Sequence, residues 1–148
     1  MLFRGQGEVF LPNFIMRNQI IVDINELLEQ INSDNGYNTN FDKILYWAST
    51  PTEYDRNYLI YRDTTEEYSS HNNYYKALLN LEIIAIVIET DTSASILGNL
   101  ALDDLIKAVT NLSTQGWIIT LNRSHKFVET KGKTACQIEL EITINYRL

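Results

Sequence analysis

The segment from Cys136 to Leu148 alternates apolar and polar residues, and this pattern constrains the fold more than any other feature of the chain. The apolar set is Cys136, Ile138, Leu140, Ile142, Ile144 and Tyr146. The polar set is Gln137, Glu139, Glu141, Thr143, Asn145 and Arg147. Because successive side chains of a strand point to opposite faces, the pattern predicts a strand with one buried face and one wet face. Such a strand needs a sheet, and the sheet needs a layer that covers its apolar side.

Other segments supply the rest of that sheet. Tyr74–Glu89 contains the run Leu81–Ile88, which is apolar on both faces near its end and predicts a central strand covered on both sides. Shorter strands are predicted at residues 44–48, 58–61, 117–121 and 127–129. A glycine between two lysines, Gly132, predicts the turn of a hairpin that leads into the last strand.

Two segments have helical periodicity. Apolar residues recur every three or four positions in residues 13–32 and 95–112, which predicts two helices that each turn one side to the core. Ser33–Gly36 is a stop signal for the first helix, and Asp91–Ser93 can cap the start of the second. Asp103 and Asp104 fall on the polar side of the second helix, so both are predicted to face solvent.

These elements predict an α+β fold in the order α-β-β-β-α-β-β-β, with an antiparallel or mixed β-sheet and two α-helices packed on one face. Residues 16–148 are predicted to form a single domain, and residues 1–15 are predicted to form an N-terminal arm. The arm is too apolar for a solvated tail, so Phe3, Val9 and Phe10 are predicted to contact a neighbour. Asp63–Asn73 is predicted to be a long polar loop, in which Tyr68 and His71 make further contacts.

Charge and cysteine content exclude several classes of protein. The net charge of −7 argues against sequence-independent binding to nucleic-acid phosphates, which needs a positive surface. A single cysteine, Cys136, cannot form an internal disulfide. The sequence contains neither a signal-peptide pattern nor an apolar run long enough to cross a membrane. Nine tyrosines are consistent either with strands or with protein interfaces.

No pattern of catalytic, metal-binding or cofactor-binding residues is present. The two histidines, His71 and His125, have no cysteine or carboxylate at the spacing of a zinc site. A nucleophilic pair of Cys136 and His125 would need an exposed thiol, whereas the alternation buries Cys136. We therefore expect a protein that is not an enzyme and needs no cofactor.

Two sets of charged residues each have two possible roles. Arg123, Lys126, Lys131 and Lys133 form a basic hairpin, which either keeps an exposed edge soluble or contacts an acidic neighbour such as another copy of the chain. Glu139 and Glu141 share one face of the last strand, where they form either an acidic stripe or part of a wet sheet face.

Three parts of the sequence together resemble bacteriophage tail terminator proteins, also called tail completion or tail-to-head joining proteins. These parts are Met16–Val22, the helix after the central strand, and the ending Trp117…Gly132…Ala135…Ile138–Tyr146. The resemblance covers residues 16–148 and lies in architecture and hydrophobic pattern.

This resemblance implies a ring, usually of six copies, that caps the tail tube, ends its polymerisation and joins it to the head connector. It implies assembly in the host cytoplasm into the virion. The implied partners are the tail tube protein, a head-side connector or neck protein, and a sheath protein if the tail is contractile. DNA would pass without sequence-specific binding, and Glu139 and Glu141 would face the lumen.

Two other classes remain open. The chain could be another neck or head-completion ring component of a phage or contractile injection system, which would bind the portal side. It could also be a small ligand-binding domain or enzyme, which would need a deep apolar pocket with convergent polar groups.

Overall fold

A computed structural model describes residues 14–112 and 116–148. The α-helices are α1 (Phe14–Glu29) and α2 (Ala94–Thr110), and a short 3-10 helix spans Ser33–Asn35. The strands are β1 (Lys43–Tyr46), β2 (Tyr58–His71), β3 (Tyr74–Ile88), β4 (Ile118–Lys131) and β5 (Lys133–Arg147).

The strands form one mixed sheet in the order β1-β2-β3-β5-β4. β1 is parallel to β2, and the other neighbours are antiparallel. The predicted α+β class, with two helices on one face of a mixed sheet, is therefore confirmed. Two long hairpins, β2–β3 and β4–β5, meet where β3 pairs with β5 along the middle of the sheet.

The number of strands that follow α2 differs from the prediction, because two long strands, β4 and β5, take the place of the predicted three. β4 continues through residues 122–126, which are polar and look like a break in sequence. The register shifts between Leu121 and Arg123, so Asn122 is an extra residue that a β-bulge absorbs. The predicted hairpin turn at Gly132 is confirmed, and Gly132 has a φ of 81°.

The predicted loop from Asp63 to Asn73 is wrong. β2 runs on to His71 and returns into β3 through Asn72 and Asn73, so most of this segment is strand. Its polar composition is explained by exposure, because beyond Asp63 nearly every residue of β2 is exposed or half-buried. A strand with no buried face carries no alternating signal.

Both helices cover the same face of the sheet, called here the helix face. α1 buries Ile20, Ile24 and Leu28, which follow one another by four residues and so share one side of the helix. They pack in one cluster with residues of α2 and with the alternating apolar set of β5. Each fully buried side chain of this size contributes roughly 1.5–3 kcal/mol to stability.

Gly98 lets α2 approach the sheet closely. A Cβ atom at this position would lie 2.3 Å from Sγ of Cys136 and 3.0 Å from its Cβ. Cys136 is fully buried under the helix, as the alternation predicts, and burial raises the pKa of its thiol. The start of α2 is also as predicted, since the side chain of Ser93 accepts a hydrogen bond from the backbone N–H of Ile96.

The other face of the sheet is covered at one end only. The segment between β1 and β2 folds over it, and Tyr54 packs there with Ile60, Ile84 and Ile86. The hydroxyl of Tyr54 donates to a carboxylate oxygen of Glu129 at 2.7 Å. The rest of this surface, the open face, carries polar residues such as Glu82, Glu139, Glu141 and Thr143.

Asp104 does not face solvent, which corrects the prediction from the helical pattern. Asp104 is only 1% exposed. Its carboxylate accepts hydrogen bonds from the backbone N–H groups of Asn38 and Thr39 at 2.8–3.0 Å. It thereby fixes the connection between the 3-10 helix and β1 onto α2. Asp103 is exposed as predicted.

None of the helices in the described residues combines the length and apolar character that a membrane crossing requires.

Candidate functional site

Both sides of the sheet end in a long strand edge without a strand partner. β1 pairs only with Tyr58–Tyr61, so the outer side of Arg62–His71, called here the β2 edge, pairs with no other described strand. The outer side of Ile118–Lys131, the β4 edge, is likewise unpaired within the described chain until Tyr54 donates its backbone N–H to the carbonyl of Lys131. Unpaired N–H and C=O groups of this kind are templates for pairing with another chain.

Trp47 marks the place where the β2 edge becomes free. It directly follows β1 and has a φ of 54°, in the left-handed region that bulky side chains rarely adopt. Its indole N–H donates to the carboxylate of Asp63 at 2.8 Å, as does the hydroxyl of Tyr46. Arg62 then donates to the carbonyl of Ala48 at 2.8 Å. These contacts direct the chain away from β2 and leave Trp47 54% exposed.

The basic residues of the β4 edge are held by their own subunit. Arg123 donates to Glu141 at 2.9 Å but remains 75% exposed at its side chain. The ammonium of Lys126 donates to Ser95 Oγ at 2.9 Å and to Asn99 Oδ1 at 3.0 Å. Because Lys126 lies back against α2, it does not shield the edge as a solvent-directed lysine would. Apolar residues of β4 are also exposed: Ile118, Leu121 and Val128.

The β2 edge is anchored to α1 by the carboxylate of Glu66. This carboxylate accepts hydrogen bonds from Arg17 of α1, with Nε at 2.8 Å, and from the hydroxyls of Tyr68 and Tyr146. Burial alone would raise the pKa of Glu66, but these hydrogen bonds outweigh burial and lower the pKa below its ordinary value. Burial and the same carboxylate raise the pKa of Tyr146.

Further along the β2 edge the side chains point to solvent. Glu67 is exposed, and its side chain makes no hydrogen bond or ion pair with any residue that the structure describes. Tyr68 is 57% exposed although its hydroxyl contacts Glu66. The ring of His71 stacks on that of Tyr74 with the centroids 5.1 Å apart.

A row of charges crosses the open face from one edge to the other. Arg62, Glu82, Glu141 and Arg123 are neighbours in the register of four adjacent strands. Arg62 pairs with Glu82 at 2.8 Å, and Arg123 pairs with Glu141 at 2.9 Å. Each of the two central carboxylates therefore has a guanidinium partner, and the row is balanced in charge.

Glu139 and Glu141 lie on the same face of β5, as predicted. Glu139 is opposite His125 in the register and accepts a hydrogen bond from Gln137 at 3.0 Å. Next to Glu141 on this face, a chain of hydrogen bonds joins four uncharged side chains: Thr65, Asn80, Thr143 and Asn122. This arrangement is a wet sheet face with paired charges, and whether it lines a lumen stays a prediction.

The structure separates the predicted contact residues into two groups on opposite sides of the sheet. Tyr68 and His71 lie on the β2 edge, whereas Arg123, Lys126 and Lys131 lie on the β4 edge. Lys133 begins β5 beside the turn and is exposed. Phe3, Val9 and Phe10 of the predicted arm lie outside the described residues.

Two features of the site are not predicted from the sequence. Tyr46 and Trp47 belong to the strand predicted at residues 44–48, but Trp47 lies after the end of β1 and both side chains are exposed. The contact between Arg17 and Glu66 joins residues that lie 49 positions apart. No local pattern encodes such a pair.

The two histidines and Cys136, which were the candidates for a catalytic or metal-binding site, are not brought together by the fold. His71 and His125 lie on strands at opposite sides of the sheet, and His125 is on the open face whereas Cys136 is on the helix face. No group of three or more His, Cys, Asp or Glu residues in the described chain could hold a metal ion. A surface hollow of about 440 Å³ is lined by charged and polar residues, including Asp42, Asp55, Arg56 and Lys133.

No model of a known protein family matches the chain, and no curated protein is significantly similar to it. The resemblance to tail terminators therefore rests on the sequence pattern and stays a prediction.

Proposed function

We propose that this protein is a structural subunit of a phage tail, which assembles with copies of itself into a ring of the tail terminator kind. The observation that supports this most is the pair of long, unpaired edges on the two sides of one sheet. A closed ring in which the sheets of neighbouring subunits join would use both edges of every copy, and closure is the way in which β-sheets remove edges altogether.

The edges lack most of the features that keep a monomer from pairing. Natural sheets protect an edge with short strands, proline, solvent-directed lysines or a covering segment. Here β4 is 14 residues long and contains no proline, and its lysines contact their own subunit. The bulges in β2 and β4 interrupt each edge at one place only.

In the proposed ring, the subunits cap the tail tube, end its polymerisation and present a surface to the head connector. Passing DNA meets no site for its bases. The net charge of −7 is consistent with this, because an acidic surface repels phosphates. The arm before α1 contacts a neighbouring subunit or the tube.

The decisive measurement is the mass of the purified protein in solution by light scattering, with negative-stain imaging, alone and after addition of tail tube protein or head connector protein. A ring, or a monomer that becomes a ring on the tube, supports a terminator. Assembly on the connector alone supports another neck component instead. A monomer that ignores both proteins contradicts the proposal and favours a ligand-binding domain.

The arm is tested separately with a chain that begins at Met16. We expect this chain to fold but to bind the tube or its neighbours more weakly than the full chain. Unchanged assembly and tube binding would show that the arm has no part in either.

A further inference from the structure

We propose that the subunits join head to tail through their sheets: the β4 edge of one copy adds antiparallel to the β2 edge of the next. This inference rests on the proposed ring and names the surface that closes it. The occupant of each edge is therefore a second copy of the same chain.

The strand directions allow this continuation. β2 and β5 run one way along the sheet, and β3 and β4 run the other way. When a copy is moved sideways and rotated about an axis parallel to its strands, these directions are kept. Its β4 then lies antiparallel to the β2 of its neighbour, so the alternation of directions continues across the junction without a break.

The charges of the two edges are complementary. The β2 edge carries three acidic residues, Asp63, Glu66 and Glu67, and one basic residue, Arg62. The β4 edge has the opposite balance, with three basic residues, Arg123, Lys126 and Lys131, and one acidic residue, Glu129. Opposite charges across a strand pair stabilise it, and like charges destabilise it.

The same charges oppose a two-fold dimer. A dimer that paired β4 with β4 would bring two basic edges together, and one that paired β2 with β2 would bring two acidic edges together. Only the junction of unlike edges matches charge, and such a heterologous junction builds rings or filaments and not closed dimers.

The bulges define which parts of the edges pair. Regular strand continues from Thr65 to His71 on β2 and from Arg123 to Lys131 on β4. Tyr68 and Val128, which are 57% and 46% exposed, lie in these segments and on the helix face of each strand. The junction would cover both side chains.

Two double variants test the pairing by reversing one edge each. The first, Glu67→Lys with Tyr68→Lys, gives the β2 edge more basic than acidic residues. The second, Arg123→Gln with Lys126→Glu, gives the β4 edge more acidic than basic residues and leaves glutamine as a donor for Glu141. We expect each variant without the other to remain monomeric under the conditions in which the unaltered protein assembles, with a loss of assembly of at least tenfold at equal concentration.

An equal mixture of the two variants should assemble again. Each junction in the mixture joins either two unaltered edges or two reversed edges, so charges match everywhere in an alternating ring with an even number of subunits. Rescue on mixing also shows that both variants are folded. Normal assembly of either variant alone, or a folded mixture that stays monomeric, would overturn the proposal.

A matched control is Val22→Lys with Glu26→Lys on the exposed side of α1, which changes the net charge by as much as the β2 variant. This control should assemble normally. If it blocks assembly to the same extent, the effect comes from total charge and the edge proposal is wrong.

Hydrogen exchange of the unaltered protein gives a second, independent readout. On assembly, we expect backbone amides of Thr65–His71 and Arg123–Lys131 to exchange more slowly, while those of the exposed 3-10 helix do not change. Assembly without protection of either edge would contradict the edge pairing but leave the ring itself standing. Failure of the unaltered protein to assemble with itself, the tube or the connector would instead contradict the proposed function.

Discussion

At the scale of single residues, the buried carboxylate of Asp104 is the clearest case of a side chain that holds two parts of the chain together. It accepts hydrogen bonds from backbone N–H groups of Asn38 and Thr39 and from the hydroxyl of Thr39. A carboxylate in this position replaces water for donors that would otherwise be buried without partners.

We expect Asp104→Asn to lower the free energy of unfolding by about 2–3 kcal/mol, because hydrogen bonds to a charged acceptor are lost and an amide N–H₂ faces other donors. Chemical denaturation followed by circular dichroism measures this. Asp103→Asn, one position away on the exposed side of α2, is the control and should change stability by less than about 0.5 kcal/mol. Equal effects of the two changes would show that the buried contacts contribute nothing.

Glu66 makes the stability of the protein depend on pH. Its pKa is lower in the folded state than its ordinary value of 4.5, so the unfolded chain binds the proton more readily. The stabilisation that ionised Glu66 contributes is therefore fully present at pH values above its ordinary pKa. It is lost as the pH falls through the lower pKa of the folded state.

We expect Glu66→Gln to be less stable than the unaltered protein by about 1–3 kcal/mol at pH 7. The difference should shrink as the pH falls below the ordinary pKa of 4.5, because only the unaltered protein loses this contribution there. Denaturant unfolding at several pH values measures both. Glu67→Gln, the exposed neighbour, should follow the unaltered protein, and a constant difference across this pH range for Glu66→Gln would contradict the assignment.

The residue scale is also where prediction from sequence was weakest. The burial of Cys136 and a helix cap within Asp91–Ser93 are predicted correctly, because alternation and capping are local patterns. Asp103 and Asp104 are adjacent and equally polar, so helical periodicity could not tell which of them the distant Asn38 and Thr39 would meet. Glu66 depends in the same way on Arg17, which no spacing rule links to it.

At the scale of elements, the periodic patterns predicted which segments are helix and strand, and exposure explains where they failed. β3, β5, α1 and α2 each bury at least one side, β3 buries both sides near its end, and their boundaries are close to those expected. The outer half of β2 and the middle of β4 bury no face, so their sequences look like loops. Pairing with β3 and β5 makes them strands all the same.

The contact of α2 with β5 depends on the absence of a side chain at Gly98. Replacement of a helical glycine by alanine normally stabilises a helix by about 1 kcal/mol. Here we expect Gly98→Ala to destabilise the protein by about 1–3 kcal/mol, because the new Cβ would meet Sγ of Cys136.

Thermal unfolding of a double-mutant cycle checks this contact. In a Cys136→Ala background the sulfur is gone, and the cost of Gly98→Ala should fall by at least half. The same cost in both backgrounds would place the strain elsewhere.

At the scale of the whole molecule, the sequence predicted the class and the helix layer but not the order of strands across the sheet. β3 and β5 are distant in sequence yet form the central pair, and no local pattern encodes such a pairing. The two edges, and therefore the candidate surfaces, follow from that order. For this reason the sequence could indicate basic and tyrosine-containing segments, but not that they lie on opposite sides of one sheet.

We expect a chain that ends after Gly132 to lack cooperative thermal unfolding, although it keeps both helices and β1 to β4. β4 has no other partner strand than β5 in the described chain, and the helices would lose the apolar set of β5. Differential scanning calorimetry measures this, and a chain that ends at Tyr146 is the control. A sharp transition in the shorter chain would show that the sheet forms without β5.

The place of β5 between β3 and β4 also has a consequence for biosynthesis. β5 is the last described strand to leave the ribosome, yet it fills the middle of the sheet. Until it arrives, β4 cannot join the sheet, so an unfinished polypeptide has no finished β4 edge to offer. Copies cut short before β5 would on this basis be excluded from the proposed ring without any separate proofreading step.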